Sequence, residues 1–280
     1  MQVSKTHEKV LLLLRNPQRV TQVIPTAKAK PYQPGVTAVA VPWRLDETRV
    51  LRNLGFNVPS PITQLYDWPG RYAPFHAQRE TASFLTLHDR AFVLNEIGTG
   101  KTLASLWAFD YLRHAQRAQR CLVISPLSTL ERTWADEIFN HFPHLTTAVL
   151  HGNVARRTNL LATDADVYLI NHDGIKVLAD ELNKRKDIDT IIIDEIAAFR
   201  NSGTDRWKIL HKLLQGRRRV WGMTGTPTPN APTDAWAQCR LIAPANVPQY
   251  FGKFRDLTMY QRSMYAWEPR PTAQDTVRNA

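Results

Sequence analysis

Between Ala73 and about Pro244, short apolar runs alternate with stretches of helical spacing. The runs fall at Ala91–Asn95, Cys121–Ser125, Thr146–Leu150, Asp166–Asn171, Thr190–Asp194 and Arg219–Thr224. Helical segments lie near Lys101–Arg117, Ser128–His141, Asn153–Ala162, Ile175–Lys184, Thr204–Leu214 and Pro232–Ile242. Strands that alternate with helices predict βαβ units and a parallel sheet. Ile191, Ile192 and Ile193 are apolar in succession, as a strand covered on both faces requires. The expected fold class is α/β, a mostly parallel sheet with helices on both faces.

Residues 1–70 follow another rhythm. Lys9–Arg15 is a short apolar run, Asn16-Pro17 makes a turn, and Arg19–Ile24 alternates as a returning strand would. Thr37–Val41 predicts a further strand. Asp46–Leu54 has helical spacing and ends at Gly55, a residue suited to closing a helix. A small basic α+β accessory module is therefore expected over residues 1–70, with contact to DNA phosphates and plain solvated surface charge as the two readings of its charge. Pro59, Pro61, Pro69 and Pro74 predict a linker or an ordered loop before the main body at 71–245. In the extension 246–280, Phe251, Phe254, Tyr260, Tyr265 and Trp267 mix with Lys253, Arg255 and Arg262. Such a mixture can stack bases; packing against a further lobe or partner is the preferred reading.

Composition narrows the class. The chain has 280 residues, 43% hydrophobic and 22% charged, which is ordinary globular usage. No apolar run approaches the ~20 residues of a membrane helix, so no membrane partner is expected. Cys121 and Cys239 are far apart, which excludes a CxxC metal site and a disulfide framework and points to a reducing compartment. The expected location is cytoplasmic, in a bacterium or an infected host cell, or nuclear in a eukaryote. The net charge of +11 favours a polyanionic partner. Up to Phe75 there are 10 Lys and Arg against 4 Asp and Glu, so the first quarter carries more than half of the excess. Arg217-Arg218-Arg219 reads as a solvated strand start. Lys184-Arg185-Lys186 reads as cations at a helix C-terminus. His141, His144, His151 and His172 have no ligand spacing.

Two segments carry candidate chemistry. Asn95-Glu96-Ile97-Gly98-Thr99-Gly100-Lys101-Thr102 follows a strand and opens a helix. Backbone N–H groups of such a loop can wrap a phosphate chain at a helix N-terminus. Lys101 would reach the phosphates, and the Thr102 hydroxyl would sit on Mg²⁺. The usual motif begins with Gly where this chain has Asn95, and a glycine-rich turn with a surface lysine fits the same residues. Asp194-Glu195 ends the strand Thr190–Asp194. The first carboxylate would hold a Mg²⁺ shell and the second would deprotonate a water; a helix cap and its neighbour is the alternative.

Together these segments resemble the first RecA-like lobe of a superfamily 2 helicase or translocase of the Swi/Snf-like branch. Residues 95–102 are similar to that branch's D-E-x-G-x-G-K-T motif I. Leu122–Ser128 resembles motif Ia, with Trp134 and Glu137 in the following helix. Asp166–Asp173 resembles the segment around motif Ib, Asp194-Glu195 motif II, and Thr224-Gly225-Thr226-Pro227 with Asn230 motif III. Gln78 stands where the family has its adenine-reading glutamine. The agreement covers about 60% of the chain.

The resemblance implies a RecA-like P-loop lobe that binds ATP and Mg²⁺. Gln78, Gly98, Thr99, Gly100, Lys101 and Thr102 would hold the nucleotide, Thr102 and Asp194 the metal, and Lys101, Asp194 and Glu195 would serve catalysis. Ser125, Pro126 and Asn171 would contact a nucleic-acid backbone, while Thr224, Gly225 and Thr226 would couple that face to the ATP site. The implied activity is a DNA-dependent ATPase and translocase on duplex DNA. Two departures stand out. Ile196-Ala197 follows motif II where the family has Ala-His or Ala-Gln, and about fifty residues follow motif III where the family has a second lobe with an arginine finger. The expectation is therefore a lobe that hydrolyses ATP weakly alone and needs a second lobe, supplied by another chain or lost by truncation. A nucleic-acid-binding module with structural or vestigial ATP binding, and an RNA helicase lobe, are the alternatives. The small basic N-terminal module weakly resembles the accessory domains of annealing-type helicases.

Overall fold

The computed structural model describes residues 1–264 and 266–280; Tyr265, one of the aromatic residues of the extension, lies outside them. The main body is a six-stranded parallel sheet. Its strands are β5 (Arg90–Val93), β6 (Arg120–Ser125), β7 (Thr147–Val149), β8 (Val167–Asn171), β9 (Ile188–Asp194) and β10 (Arg219–Met223), in the spatial order β5-β10-β9-β6-β8-β7. Alternation sends successive side chains to opposite faces. Cys121, Val123, Ile192, Trp221 and Met223 enter one core with Leu106, Trp107 and Phe109 of the helix Lys101–His114. Leu122, Ile124, Ile191, Ile193 and Val220 enter the other, with Leu210 and Leu213 of Asp205–Leu213. Both faces are dry, which is why these strands read as continuous apolar runs. Among the described residues no helix is long and apolar enough to cross a membrane.

Before this sheet lie four antiparallel strands, β1 (Gln2–Ser4), β2 (Lys9–Leu14), β3 (Lys28–Gln33) and β4 (Val36–Pro42), in the order β1-β2-β4-β3. Val10, Leu12, Val39 and Val41 face a small core with Val20, Trp43 and Leu51. The expected strand at Arg19–Ile24 is instead a helical turn, Gln18–Thr21, begun by Pro17. Val20 and Ile24, four residues apart, are buried while Gln22, which alternation would place on their face, is exposed. The helix Leu45–Asn53 closes as expected: Gly55 adopts φ +89°, its N–H donates to Arg52 O, and that of Phe56 donates to Leu51 O. This helix joins both bodies, since Leu51 packs in the small core and Leu45 in the large one. The proline-rich stretch is ordered. Pro59 O accepts from Trp43 Nε1 at 2.9 Å, and Trp68 packs edge-on against Trp107 at 5.0 Å.

Three further expectations change. The helix expected over Ser128–His141 is interrupted by a π-helical turn, Leu130–Ala135, between Leu127–Thr129 and Asp136–His141. The helix expected over Ile175–Lys184 breaks at the fully buried Leu178. The arginines before β10 are not solvated as a group. Arg217 is 5% exposed and donates to the carbonyls of Leu182, Arg185, Ile188 and Leu213. Arg219 is 1% exposed and lies 3.6 Å from Asp89 and 3.7 Å from Asp189. In the extension, Phe254 is buried in this chain's own core and Arg255 stacks on Trp267 at 3.9 Å.

Arg217 thus ties four carbonyls, three of them buried, at the amino edge of the sheet. Leaving buried acceptors unpaired costs about 1–3 kcal/mol each. Arg217→Leu is expected to lower the unfolding free energy by about 3 kcal/mol or more, read as a lower urea midpoint with an unchanged slope. An unchanged midpoint would show that water replaces these bonds.

Candidate functional site

Parallel pairing brings every strand's carboxyl end to one edge, and the candidate residues lie along it. Met223 of β10 pairs with Val93 of β5 on one side and with Asp194 of β9 on the other. Farther along, Ser125 of β6 pairs with Asn171 of β8. The loop after β5, the Asp194-Glu195 pair and Thr224 therefore share one short stretch of edge.

The loop's shape depends on its glycines. Gly98 and Gly100 adopt φ of +85° and +75°, in the left-handed region that glycine enters without strain. A side chain on Gly100 would meet Gln78 Nε2 at 2.2 Å, so the helix His76–Leu87 closes directly on the loop. Gln78 is 3% exposed; its Oε1 accepts from Phe75 N at 2.8 Å and its Nε2 donates to Gly100 O at 3.4 Å. From the same helix Thr81 accepts from Asn95 Nδ2 at 2.8 Å. Thr99 Oγ1 donates to Glu96 O at 2.9 Å. Lys101 begins its helix and donates to Asn95 O at 2.8 Å and Glu96 O at 2.7 Å, so it is not a loose surface lysine. Burial lowers the Lys101 pKa, and the carboxylates of Asp194 and Glu195 oppose that shift. Thr102 follows it, half-buried in the first turn.

The two carboxylates differ. Asp194 has its pKa raised, chiefly by burial, with Glu195 adding to the shift. Trp134 Nε1 donates to Asp194 Oδ2 at 3.0 Å and favours the ionised form. The π-helical turn carries Trp134, and such turns recur at functional sites. His172 is buried, its pKa lowered by that burial; its Nε2 donates to Asp194 O at 2.8 Å, which sets the tautomer. Glu195 adopts φ +53°, a left-handed conformation costing about 1–3 kcal/mol for a residue with a side chain. Its Oε1 accepts from Thr224 Oγ1 at 2.5 Å, and Thr224 Oγ1 accepts from Thr226 N at 3.1 Å. Gly225 lies against the phosphate-type loop, its nearest atoms belonging to Ile97 and Asn95. Thr224, Gly225 and Thr226 thus touch both the second carboxylate and the loop.

The residues expected to meet nucleic acid lie apart from this group. Ser125 is fully buried and donates to Pro126 O at 3.3 Å, so its side chain presents nothing at the surface. Pro126 is half-buried, and the exposed positions beside it are Leu127 and Ser128. Asn171 is half-buried and accepts from Arg157 Nη1 at 3.2 Å. Four contacts escaped sequence reasoning: Trp134 and His172 on Asp194, Thr81 on Asn95, and Arg157 on Asn171. Trp134, named in the helix after Leu122–Ser128, and His172, next to Asn171 at a strand end, were the available signals; Thr81 and Arg157 had none.

Comparison with known proteins gives a consistent picture. The sequence profile of the SNF2-related domain matches residues 77–264, about two thirds of the chain. Protein p41 of Acyrthosiphon pisum secondary endosymbiont phage 1 is 33% identical over 162 residues, covering 55% of this chain and 35% of the phage protein. The SWI/SNF-related matrix-associated actin-dependent regulator of chromatin subfamily A-like protein 1 of Xenopus laevis is 27% identical over 184 residues, 65% of this chain and 18% of its own length. This chain thus spans a minor part of either relative. The solved Sulfolobus solfataricus SWI2/SNF2 ATPase core in complex with dsDNA superposes with a TM-score of 0.58 at 25% identity, covering 68% of this chain and 39% of that one.

The raised pKa of Asp194 has a consequence for stability. Folding penalises its ionised form, so the penalty is full above the folded pKa and vanishes below the unfolded value of about 3.9. Asp194→Asn removes the charge and keeps an acceptor for Trp134. It is expected to unfold at a higher temperature than the parent at pH 7, with the difference disappearing below about pH 4. A lower unfolding temperature at pH 7 would contradict this.

Proposed function

The chain belongs to the SNF2-related domain family, and from that premise we propose that it is the first RecA-like, ATP-binding lobe of a Swi/Snf-type DNA-dependent ATPase that translocates on duplex DNA. The carrying observation is the gathering of Lys101, Asp194, Glu195 and Thr224 at the carboxyl edge of the adjacent strands β5, β10 and β9. The solved relative in complex with dsDNA supports the choice of duplex.

The residues present fit Mg²⁺-ATP. Gly98 opens onto free space, and its positive φ suits a loop whose N–H groups turn inward. Gly98, Thr99, Gly100 and Lys101 would hold the phosphates, Gln78 the base, and Thr102 with Asp194 the metal's shell. Bound Mg²⁺-ATP supplies a polarised phosphoanhydride bond and neutralises developing charge. Glu195 orients the attacking water and takes its proton. Thr224, by donating to Glu195, fixes the carboxylate's direction, while Thr226 donates to Thr224 and Gly225 packs against the loop at Asn95 and Ile97. Ile196 and Ala197 are buried and bring no polar side chain to this relay. The charge on the transferring phosphoryl is left to an arginine finger from a second lobe, an effect worth about 10³–10⁵ in rate. A nucleic-acid-binding module with structural ATP is one competing reading, separated from the proposal by DNA-stimulated ATP turnover; an RNA helicase lobe is the other, separated from it by competition between duplex DNA and RNA.

ATP turnover measured with and without duplex DNA tests the proposal. The chain alone is expected to bind ATP and turn it over slowly. Lys101→Ala is expected to abolish binding. Glu195→Gln is expected to keep binding and lose about 10²–10⁴ of whatever turnover a second lobe restores. Equal ATP binding by parent and Lys101→Ala would refute the phosphate-loop assignment. Fast DNA-stimulated turnover by the chain alone would refute the need for a second lobe.

A further inference from the structure

The N-terminal sheet has one face in its core and one in water. In an antiparallel pair, opposed residues share a face. Leu11 pairs with Ala40 and Leu13 with Ala38, opposite in sense to the buried Leu12–Val39 pair. On the other side of β4, Lys28 pairs with Ala40 and Lys30 with Ala38. Lys9, two residues before Leu11, shares the same face. This outer face therefore has a floor of Ala38, Ala40, Leu11 and Leu13 with Lys9, Lys28 and Lys30 around it. At strand spacings of ~4.8 Å and ~6.8 Å per two residues, the cations span roughly 14 Å along the strands and 10 Å across them.

All three lysines are exposed. Among the described residues none is paired with a carboxylate. Two of the four acids of the first 75 residues are engaged elsewhere. Asp46 pairs with Arg117 and Glu47 accepts from Thr26, while Glu8 and Asp67 lie outside the four strands of this sheet. The face is thus an array of three exposed cations with which no carboxylate pairs among the described residues.

We propose that this outer sheet face is a second DNA site, binding the phosphodiester backbone of duplex DNA. A duplex carries one charge per ~1.7 Å of axis, so about eight phosphates fit along the lysine array. Sheets that read single-stranded bases present aromatic side chains to stack on them. Here the floor is alanine and leucine, and Tyr32, the aromatic of β3, falls at the bulge beyond Lys30, so the surface holds backbone and has no sequence preference. The site does not depend on the ATP-site assignment, because no residue of that site belongs to it.

Lysines on the edge strand β3 also have a simple protective role, since charge there blocks pairing with another sheet. Charge reversal separates the two roles: Lys28→Glu with Lys30→Glu keeps the edge charged but repels phosphate. Binding of the full chain to a duplex oligonucleotide is followed by fluorescence anisotropy across a salt series. The double variant is expected to weaken binding at least about ten-fold at 0.1 M salt and to reduce the slope of log K against log salt by about 2. Lys28→Arg with Lys30→Arg should keep both values, and basal ATP binding should be unchanged in either variant. Lys184→Glu with Lys186→Glu, at the opposite edge of the main sheet, should have a smaller effect. Unchanged affinity and slope in the Lys28/Lys30 reversal would overturn the proposal. So would loss of binding to anionic lipid vesicles with duplex binding intact.

Discussion

The placement of β10 between β5 and β9, in parallel register, is the constraint on which the rest depends. Met223 lies level with Val93 and Asp194. One residue later each chain leaves the sheet at the same edge, so a glycine loop, a carboxylate pair and a threonine become neighbours without any long-range fold of their own. The register is fixed by burial on both faces: a one-residue slip would exchange the two cores. Trp221 and Met223 would then enter the layer of Ile191 and Ile193. The site's geometry is thus a by-product of packing, and packing protects it.

The two ends of the sheet use charge in opposite ways. At the amino edge, Arg217 is consumed by four carbonyls, and Arg219 lies between Asp89 and Asp189. These cations hold the scaffold and are withdrawn from any external partner. At the carboxyl edge, Asp194 is buried against its own ionisation and Glu195 is held in a left-handed conformation. Both are costs, and the surrounding contacts from Trp134, His172 and Thr224 offset them. Strain and awkward ionisation concentrated in two adjacent residues mark chemistry better than either motif alone. The formal +11 accordingly overstates the charge available to a polyanion.

Legibility followed burial. β6, β8, β9 and β10 were readable because their apolar runs have no other explanation, and the loop at 95–102 because glycine spacing there has a steric cause. β3 was not readable: Lys-Ala-Lys-Pro-Tyr-Gln is exposed at every position and lies at a sheet edge, so no alternation marks it. The turn at Gln18–Thr21 was mistaken for a strand because two buried residues four apart mimic alternation over so short a span. The arginines before β10 were misread because a sequence does not show which carbonyls will be left without partners. Trp134 was visible as a residue, but its reach to Asp194 depends on the π turn, which spacing alone does not predict. Ser125 illustrates the converse, since a motif position carried a side chain that the fold buries.

One helix links the two bodies to the site. His76–Leu87 carries Gln78 against Gly100 and Thr81 against Asn95. The same helix receives the N-terminal module: Ser60 Oγ lies 2.7 Å from Thr86 Oγ1, and Arg49 donates to Thr86 O and pairs with Asp89 at 3.0 Å. Leu45 and Ile62 pack in the same core as Leu85. The helix Leu45–Asn53 with its following loop and the phosphate-type loop are therefore anchored toward opposite ends of twelve residues. A helix of that length moves as a unit, since its own hydrogen bonds resist bending more than side-chain contacts do. Any displacement of the N-terminal sheet relative to the main sheet must either break the Ser60–Thr86 and Arg49–Asp89 contacts or carry Gln78 and Thr81 with it, and so alter the walls of the loop that Lys101 closes.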